Sequence, residues 1–260
     1  MIFVLKKSHL ILALAGCIVL LALFALPSIQ NAIPAAANNS NWGLSFQQGG
    51  KQPAGNASPD YLKQFNAYYM DSPDKNVIYL TFDAGFENGN TPAILDALKK
   101  HNARAAFFLV GNYIKTSPDL VKRMVEEGHI LGNHSSAHLS FPDMPLEEAA
   151  ADIMQLHAYV KANFGYEMTL FRPPMGEFSE QTLALAASLG YKSVFWSFAY
   201  RDWEVDNQPL TLEALNACVS RCHPGAIYLL HAVSQTNTEI LGDFIDQVRA
   251  QGYTFSKFYL

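Results

Sequence analysis

Apolar and polar residues follow two different periods along the chain from about residue 61 onward. Short apolar runs rich in β-branched and aromatic residues predict buried strands. These runs are Val77 to Phe82, Ala105 to Val110, His129 to Asn133, Thr169 to Phe171, Tyr191 to Trp196 and Ala226 to Leu230. Segments with helical spacing separate them, such as Pro145 to Asn163, Ser179 to Leu189 and Glu239 to Ala250. Strands that alternate with helices predict βαβ units and a parallel sheet.

Polar residues that could take part in catalysis or metal binding lie at the ends of these strands. Asp83, His134, Arg172, Asp202 and His231 each fall at or just past the carboxyl end of a different predicted strand. Active sites of α/β barrels collect residues from several strands at that face, whereas an open sheet with one switch point uses fewer. The pattern therefore predicts an α/β fold, an irregular (β/α) barrel of about seven parallel strands.

The first 37 residues differ in kind from the rest. Lys6 and Lys7 precede an apolar run over residues 10–26, and small residues follow at 35–37. This order is typical of a signal peptide or an uncleaved N-terminal membrane anchor, although the run is slightly short for a membrane-spanning helix. Cys17 lies in a sequence like a lipoprotein processing site, but the apolar run continues past it, which favours an ordinary apolar cysteine. We expect an extracytoplasmic protein, secreted or anchored to the membrane through residues 10–26.

Composition divides the remainder into two parts. Residues 38–60 are rich in Asn, Gln, Gly, Ser and Pro, which is typical of a flexible linker. Residues 61–260 are long enough for one domain with a sizeable core. The net charge of −5 and the absence of a lysine- or arginine-rich run argue against nucleic acid as a partner. Cys218 and Cys222 have a spacing that rarely suits a disulfide on a helix, so we expect two half-buried thiols.

Two motifs suggest acid–base and metal chemistry. Asp83 ends a very apolar strand, where a carboxylate needs a partner or its pKa rises. His134 and His138 have the i, i+4 spacing with which two imidazoles on a helical turn can bind one metal ion. Each motif alone also fits a structural role. Asp83 could cap a turn or a helix, and the two histidines could simply form hydrogen bonds.

Two further motifs complete the candidate site. Arg172 precedes Pro173 and Pro174, whose fixed backbone can orient an N–H group towards a developing oxyanion, and an arginine can bind a carboxylate with two hydrogen bonds. His231 ends a strand, and a carboxylate such as Asp202 could orient it as a general acid. Neither motif is specific by itself, so the interpretation depends on the complete set.

The set, in this order, resembles the polysaccharide deacetylase family, also described as the NodB-homology or carbohydrate esterase type. Its five motifs have counterparts in Thr-Phe-Asp-Ala-Gly, His-Ser-Ser-Ala-His, Arg-Pro-Pro-Met-Gly, Asp-Trp and Leu-Leu-His, and the resemblance covers about residues 75–258. The longer segments Phe-Asp-Ala-Gly-Phe-Glu-Asn-Gly-Asn-Thr-Pro and Glu-Gly-His-Ile-Leu-Gly-Asn-His are similar to the δ-lactam-forming muramic acid de-N-acetylases. That subgroup acts on spore-cortex peptidoglycan.

The resemblance implies a role for each motif residue. Asp83 would be the catalytic base and Arg172 its positioning partner. His134 and His138 would bind a divalent metal ion, with zinc expected first. The remaining catalytic pair consists of His231, the general acid that protonates the leaving amine, and Asp202, which tunes it.

Four other residues are expected to contact the substrate. Met175 would supply a backbone N–H to the oxyanion, and Trp203 and Leu229 belong to the matching motifs. Arg201, next to Asp202 in the sequence, is our candidate for binding the free carboxylate of a lactyl group. Peptidoglycan glycan strands are the expected partner.

The sequence departs from the family pattern at two positions. Ala84 stands where most relatives have an aspartate that binds the metal, so we expect weak metal binding. Met175 replaces a tyrosine or basic residue, which is tolerable if its backbone makes the contact. We therefore predict metal-assisted hydrolysis of N-acetyl groups on peptidoglycan, preferably N-acetylmuramic acid on the route to muramic δ-lactam. The alternatives are an N-acetylglucosamine or chitooligosaccharide deacetylase and a non-catalytic glycan-binding relative.

Overall fold

The computed structural model of the 260-residue chain describes residues 40–46 and 50–258. The predicted signal peptide or anchor, including the apolar run over residues 10–26, lies outside these residues. Among the helices that are described, none is both long and apolar enough to cross a membrane.

The described elements alternate between strands and helices, as the pattern predicts. The strands are β1 (Ser40–Asn41), β2 (Leu44–Ser45), β3 (Ala54–Gly55), β4 (Ala67–Tyr68), β5 (Val77–Ala84), β6 (Ala105–Leu109), β7 (Ile130–Asn133), β8 (Leu170–Phe171), β9 (Glu177–Phe178), β10 (Lys192–Val194), β11 (Phe198–Ala199), β12 (Ala226–His231) and β13 (Thr254–Phe255). The helices are α1 (Pro59–Lys63), α2 (Thr91–Lys100), α3 (Gly111–Thr116), α4 (Pro118–Glu126), α5 (Leu146–Phe164), α6 (Glu180–Ser188), α7 (Thr211–Ser220) and α8 (Gln235–Ala250).

A curled parallel sheet forms the centre of the domain. Its strands follow the order β11-β12-β5-β6-β7-β8-β10-β4, and β13 adds to β5. Every pair in this sheet is parallel. An isolated antiparallel bridge joins Met70, which follows β4, to Ala226 on β12. The predicted irregular barrel is confirmed, with eight strands along the path rather than about seven. The strands that the pattern missed, β4 and β11 among them, are two residues long and show no periodicity.

Alternation along β5 explains how the sheet supports a polar site. Ile78, Leu80, Phe82 and Ala84 are fully buried in the main core between the sheet and its helices. The odd-numbered residues of β5 point to the opposite face of the sheet, where Tyr79 belongs to a smaller apolar cluster inside the barrel. Because side chains alternate along a strand, Asp83 also points into the barrel, at the carboxyl end of β5, the longest described strand.

Part of the predicted linker is folded onto the domain instead. β1 pairs antiparallel with β9, β2 pairs with β3, and α1 starts at Pro59. The physical reason is Trp42, whose side chain is 8% exposed and packs in a small aromatic core. The polar, glycine-rich composition of the segment predicts a linker and does not reveal that Trp42 attaches it to the domain. We call the described residues 40–46 and 50–58 the N-terminal strap.

Local signals account for two smaller differences. Helix α8 begins at Gln235, four residues before the predicted start, because the Ser234 hydroxyl accepts the Asn237 N–H at 3.0 Å and caps it. Cys218 and Cys222 are free thiols, as expected, but they are buried rather than half-buried. Burial raises the pKa of the Cys222 thiol to about 12, which makes it a poor nucleophile.

Candidate functional site

A cavity of about 680 Å³ opens at the carboxyl ends of the parallel strands. Seven of the ten predicted site residues line it, namely Asp83, His134, His138, Met175, Trp203, Leu229 and His231. Two others, Arg172 and Asp202, are fully buried directly behind this wall, where each contacts a lining residue. Residues far apart in the sequence therefore meet at one site, as the position of each at a strand end predicts.

Asp83 and Arg172 form a buried ion pair at the base of the cavity. Arg172 Nη1 donates to Asp83 Oδ1 at 2.6 Å. Burial would raise the pKa of the Asp83 carboxyl, but the adjacent guanidinium outweighs it, and the pKa lies below its usual value. Asp83 is therefore an ionised carboxylate at neutral pH.

The protein holds the Arg172 guanidinium on all sides. Nη1 also donates to the Thr81 hydroxyl at 2.8 Å, and Nε donates to the Val194 carbonyl at 2.9 Å. The guanidinium lies 4.1 Å above the ring of Phe108. Gly132 is required beneath that ring, since a Cβ at this position would lie 2.4 Å from a Phe108 ring carbon. These contacts fix the direction in which Arg172 presents its charge.

His134 is oriented by the backbone of the same arginine. Its Nδ1 lies 2.9 Å from the Arg172 carbonyl oxygen. Because a carbonyl only accepts, Nδ1 carries the hydrogen and Nε2 keeps a lone pair in the neutral ring. Nε2 lies 3.3 Å from Asp83 Oδ2, and burial lowers the pKa of His134 to about 4. A neutral imidazole with its lone pair beside a carboxylate is suited to bind a cation.

The segment from His134 to His138 is a loop, so the expected helical turn is wrong. Ser135 has a φ of 70° and His138 a φ of 56°, neither of which a helix allows. The loop nevertheless brings the two imidazoles together, with ring centroids 4.8 Å apart. Burial also lowers the pKa of His138, so this ring too is neutral.

Two residues that sequence reasoning missed hold this loop. The Asp152 carboxylate, on α5, accepts the Ser136 N–H at 2.6 Å and the Ala137 N–H at 3.0 Å. The Asn133 side chain accepts the Ser135 N–H at 2.9 Å. Left-handed residues need such support, because their strain persists only when the surroundings determine it. No local pattern marks Asp152, which lies in the middle of a helix 14 residues after His138.

His231 and Asp202 form a second polar pair on the cavity wall. Asp202 Oδ1 accepts from His231 Nδ1 at 2.6 Å, and Asp202 Oδ2 accepts the His231 backbone N–H at 2.8 Å. Burial would lower the pKa of His231, but the carboxylate outweighs it, and the pKa lies above its ordinary value. Since Nδ1 faces Asp202, Nε2 is the nitrogen available to the cavity.

A third residue completes this pair and was also missed from the sequence. Asn237 donates to Asp202 Oδ2 at 2.6 Å and to the His231 carbonyl at 3.1 Å. The Tyr200 hydroxyl donates in turn to the Asn237 side-chain oxygen. The buried Asp202 carboxylate is therefore fully hydrogen-bonded, which is the condition for keeping a charge inside a protein.

The predicted substrate contacts divide into three that line the cavity and one that does not. Met175 and Trp203 are about half exposed at its mouth, and Met175 has a φ of 57° in the turn Pro174–Gly176. Leu229 is buried in the wall. Arg201 does not line the cavity, because its exposed guanidinium pairs with Glu204 at the surface. The contact of Arg201 with a lactyl carboxylate therefore stays a prediction, and the position of this side chain outside the cavity lining does not support it.

A divalent cation fits the histidine pair but finds few other protein ligands. His134 and His138 are neutral and adjacent, and the lone pair of His134 is directed beside Asp83. The described residues contain no group of three His, Cys, Asp or Glu side chains arranged as a metal centre. Ala84 explains part of this, because its Cβ is buried in the main core on the face opposite Asp83. The residues thus fit an ion held by two imidazoles and completed by water or substrate oxygens.

Comparison with known proteins identifies the family. A family model described as polysaccharide deacetylase matches residues 70–194. The chain is 41% identical over 217 residues to the peptidoglycan-N-acetylmuramic acid deacetylase PdaA of Bacillus subtilis, spanning 83% of this chain and 82% of that protein. It is 30% identical over 231 residues to a peptidoglycan-N-acetylglucosamine deacetylase of Bacillus cereus, spanning 86% and 82%.

The fold agrees with this similarity. The structure of Bacillus subtilis PdaA, described as a family 4 carbohydrate esterase, superposes with a TM-score of 0.82 at 39% identity, covering 86% of this chain and 96% of that one. Dependence on a divalent metal ion is general among these esterases. The chain therefore belongs to the polysaccharide deacetylase family, hydrolases that act on N-acetyl amide bonds.

Proposed function

We propose that this protein removes N-acetyl groups from the amino sugars of peptidoglycan outside the cytoplasm, with N-acetylmuramic acid as its preferred target. The main support for the proposal is that one cavity contains two titratable side chains whose pKa values are shifted in opposite directions. Asp83 has a lowered pKa and His231 a raised pKa. Amide hydrolysis needs a base for the attacking water and an acid for the leaving amine, and one cavity contains a candidate for each.

The base acts first in this mechanism. Asp83, ionised because of Arg172, accepts a proton from the water that attacks the acetyl carbonyl carbon. Arg172 does not touch the substrate. It fixes the Asp83 carboxylate through Nη1 and orients His134 through its carbonyl, so it is a positioning residue.

The acid acts when the carbon–nitrogen bond breaks. The imidazolium form of His231, stabilised by Asp202, donates its Nε2 proton to the amino-sugar nitrogen, and acetate and the free amine leave. The backbone N–H of Met175 is the proposed donor to the oxyanion of the tetrahedral intermediate. Trp203 and Leu229 provide apolar surface for the sugar ring.

His134 and His138 would hold the divalent ion on which the family depends. When bound, such an ion polarises a carbonyl oxygen and lowers the pKa of a water molecule. The two imidazoles are neutral because burial lowers their pKa values, so little proton release opposes binding near neutral pH.

Similarity favours muramic acid over glucosamine as the target. Identity to the muramic acid deacetylase is 41%, compared with 30% to the glucosamine deacetylase at similar coverage. The described residues that line the cavity include no lysine or arginine, so recognition of a lactyl carboxylate would use neutral donors. Expression during sporulation and export through residues 1–37 remain parts of this proposal that depend on the sequence motifs alone.

Product analysis tests the proposal directly. Purified protein is incubated with intact and with peptide-stripped peptidoglycan, with and without added zinc, and acetate and the deacetylated sugars are measured by mass spectrometry. We expect acetate release that requires the metal, and muramic acid as the deacetylated sugar in the peptide-stripped sample. Loss of acetyl only from N-acetylglucosamine would overturn the muramic preference. Binding of the glycan without acetate release would favour the non-catalytic alternative, for which the absence of a third protein ligand at Ala84 is the specific argument.

A further inference from the structure

We propose that Trp42, on the N-terminal strap, is a positioning residue for the reaction, because it fixes two walls of the cavity at once. This inference deepens the proposed function and rests on it for its kinetic part. Trp42 is remote from every catalytic motif in the sequence and lies in a segment with linker composition. Its contacts nevertheless join the strap to the backbone around the candidate site.

The first wall is the turn that carries Met175. The Trp42 backbone N–H donates to the Gly176 carbonyl at 2.9 Å. Strand β1 continues this contact by pairing Asn41 with Glu177 and Ser40 with Phe178. Met175 has a φ of 57°, and a residue with a side chain keeps such a left-handed conformation only where its neighbours hold it. The strap supports this turn at Gly176, the residue directly after Met175, the proposed oxyanion donor.

The second wall is the segment that follows β10. The Trp42 indole Nε1–H donates to the Trp196 carbonyl at 2.9 Å, and the ring of Trp196 lines the cavity. The Trp42 ring also packs against Phe195, with centroids 4.8 Å apart. Phe195 contributes its carbonyl to Arg172 Nη2 at 3.3 Å. Phe195 therefore connects the Trp42 indole to Arg172, the residue that orients the proposed base.

The surroundings are built for a large indole at this position. Gly55, on the strap itself, closes over it, and a Cβ there would lie 2.3 Å from a Trp42 ring carbon. Gly176 lies between two tryptophans, since its Cβ would lie 2.6 Å from the Trp196 ring and 3.1 Å from Trp42. A side chain at either glycine would push Trp42 or the turn out of place. Both glycines thus permit the close approach of strap and cavity wall.

Positioning predicts a kinetic signature that differs from a loss of stability. If Trp42 holds the Met175 turn, its removal displaces a donor that acts only in the transition state, so kcat falls while KM changes little. If Trp42 only stabilised the fold, the folded fraction of the variant would turn over at the wild-type rate. The two cases are separated by kinetics measured below the unfolding transition.

The experiment compares three substitutions in the full chain. Trp42→Ala removes the ring and the indole hydrogen bond, and Trp42→Phe keeps an aromatic ring but loses that bond. Phe46→Ala is the matched control, because Phe46 is an exposed aromatic on the same strap that packs over Arg221, away from the cavity. For each protein we measure kcat and KM for acetate release, and hydrogen exchange of the peptide spanning residues 173–178 by mass spectrometry.

We expect Trp42→Ala to lower kcat at least about tenfold with KM within about threefold, and to speed exchange in residues 173–178. Trp42→Phe should be intermediate in both, and Phe46→Ala should match wild type. A folded Trp42→Ala protein with wild-type kcat and exchange would overturn the inference, as would equal losses in Phe46→Ala. If Trp42→Ala does not fold, Trp42→Phe decides alone, and wild-type values for it would count against the inference. If wild type itself releases no acetate, the proposed function fails, and the exchange comparison still decides whether Trp42 holds the turn.

Discussion

The carbonyl oxygen of Arg172 lies 2.9 Å from Nδ1 of His134, while the guanidinium of the same arginine lies 2.6 Å from the Asp83 carboxylate. One buried residue therefore orients both the candidate base and the first candidate metal ligand. This link explains why an arginine is placed next to a rigid di-proline segment, since Pro173 and Pro174 limit the backbone freedom of the residue that directs the carbonyl.

Replacement of Asp83 by asparagine tests the base. The amide keeps the size of the side chain and can still accept from Arg172, but it cannot take a proton from water. We expect a folded protein in which kcat for deacetylation falls by about 10² or more. Asp206→Asn, the same change at an exposed carboxylate, should leave kcat unchanged. Near-normal turnover by folded Asp83→Asn protein would remove Asp83 from this role.

The pH profile tests the acid. The active form requires ionised Asp83 and protonated His231, so activity should be lost at low pH as Asp83 is protonated and at high pH as His231 loses its proton. Because Asp202 raises the pKa of His231, Asp202→Asn should leave burial, which lowers that pKa, as the dominant effect. The basic limb of the pH–rate profile should then move to lower pH, with at least about a tenfold loss of kcat/KM at pH 8. An unmoved basic limb would assign it to another group.

The buried ion pair makes a prediction about stability. Arg172→Met leaves the Asp83 carboxylate buried without its cation, which should lower the free energy of unfolding by about 3–5 kcal/mol. The double variant Asp83→Asn/Arg172→Met removes both charges and should recover part of that loss. Urea denaturation of the four proteins gives the coupling between the two sites. Strict additivity of the two single effects would contradict a strong pair.

The sequence indicates the residues of the candidate site more clearly than the residues that hold them in position. Asp83, His134 and His231 are visible because each follows a strand that periodicity identifies, and parallel strands end at one face of the barrel. Arg201 is a candidate as the sequence neighbour of Asp202, but neighbours in the sequence can point in opposite directions, and its guanidinium pairs with Glu204 at the surface, outside the cavity lining. Ala84 shows the same effect, since alternation along β5 directs it into the core.

The supporting residues leave no local signal in the chain. Asn237 and Asp152 lie within helices, where a polar side chain usually faces solvent, and only the packing of those helices brings them to Asp202 and to the loop that carries the two histidines. Trp42 is one of a few apolar residues in a polar segment, so the average composition of that segment does not reveal it. Contacts between residues separated by a hundred positions or more, such as Trp42 with Trp196, require the fold itself.

The Asp152 side chain supports the loop that carries the two candidate metal ligands, His134 and His138. Its carboxylate accepts two backbone N–H groups between the histidines, from Ser136 and Ala137. Asp152→Ala leaves both donors without this partner and should lower the free energy of unfolding by about 1–3 kcal/mol. It should also weaken zinc binding by about 10- to 100-fold, the usual scale for residues that orient metal ligands. Asp152→Asn keeps one acceptor oxygen and should fall in between, while Glu148→Ala, an exposed change on the same helix, should alter neither property. Titration calorimetry with zinc measures the affinity. Equal affinity in Asp152→Ala and wild type would mean that the loop holds His134 and His138 together without help from α5.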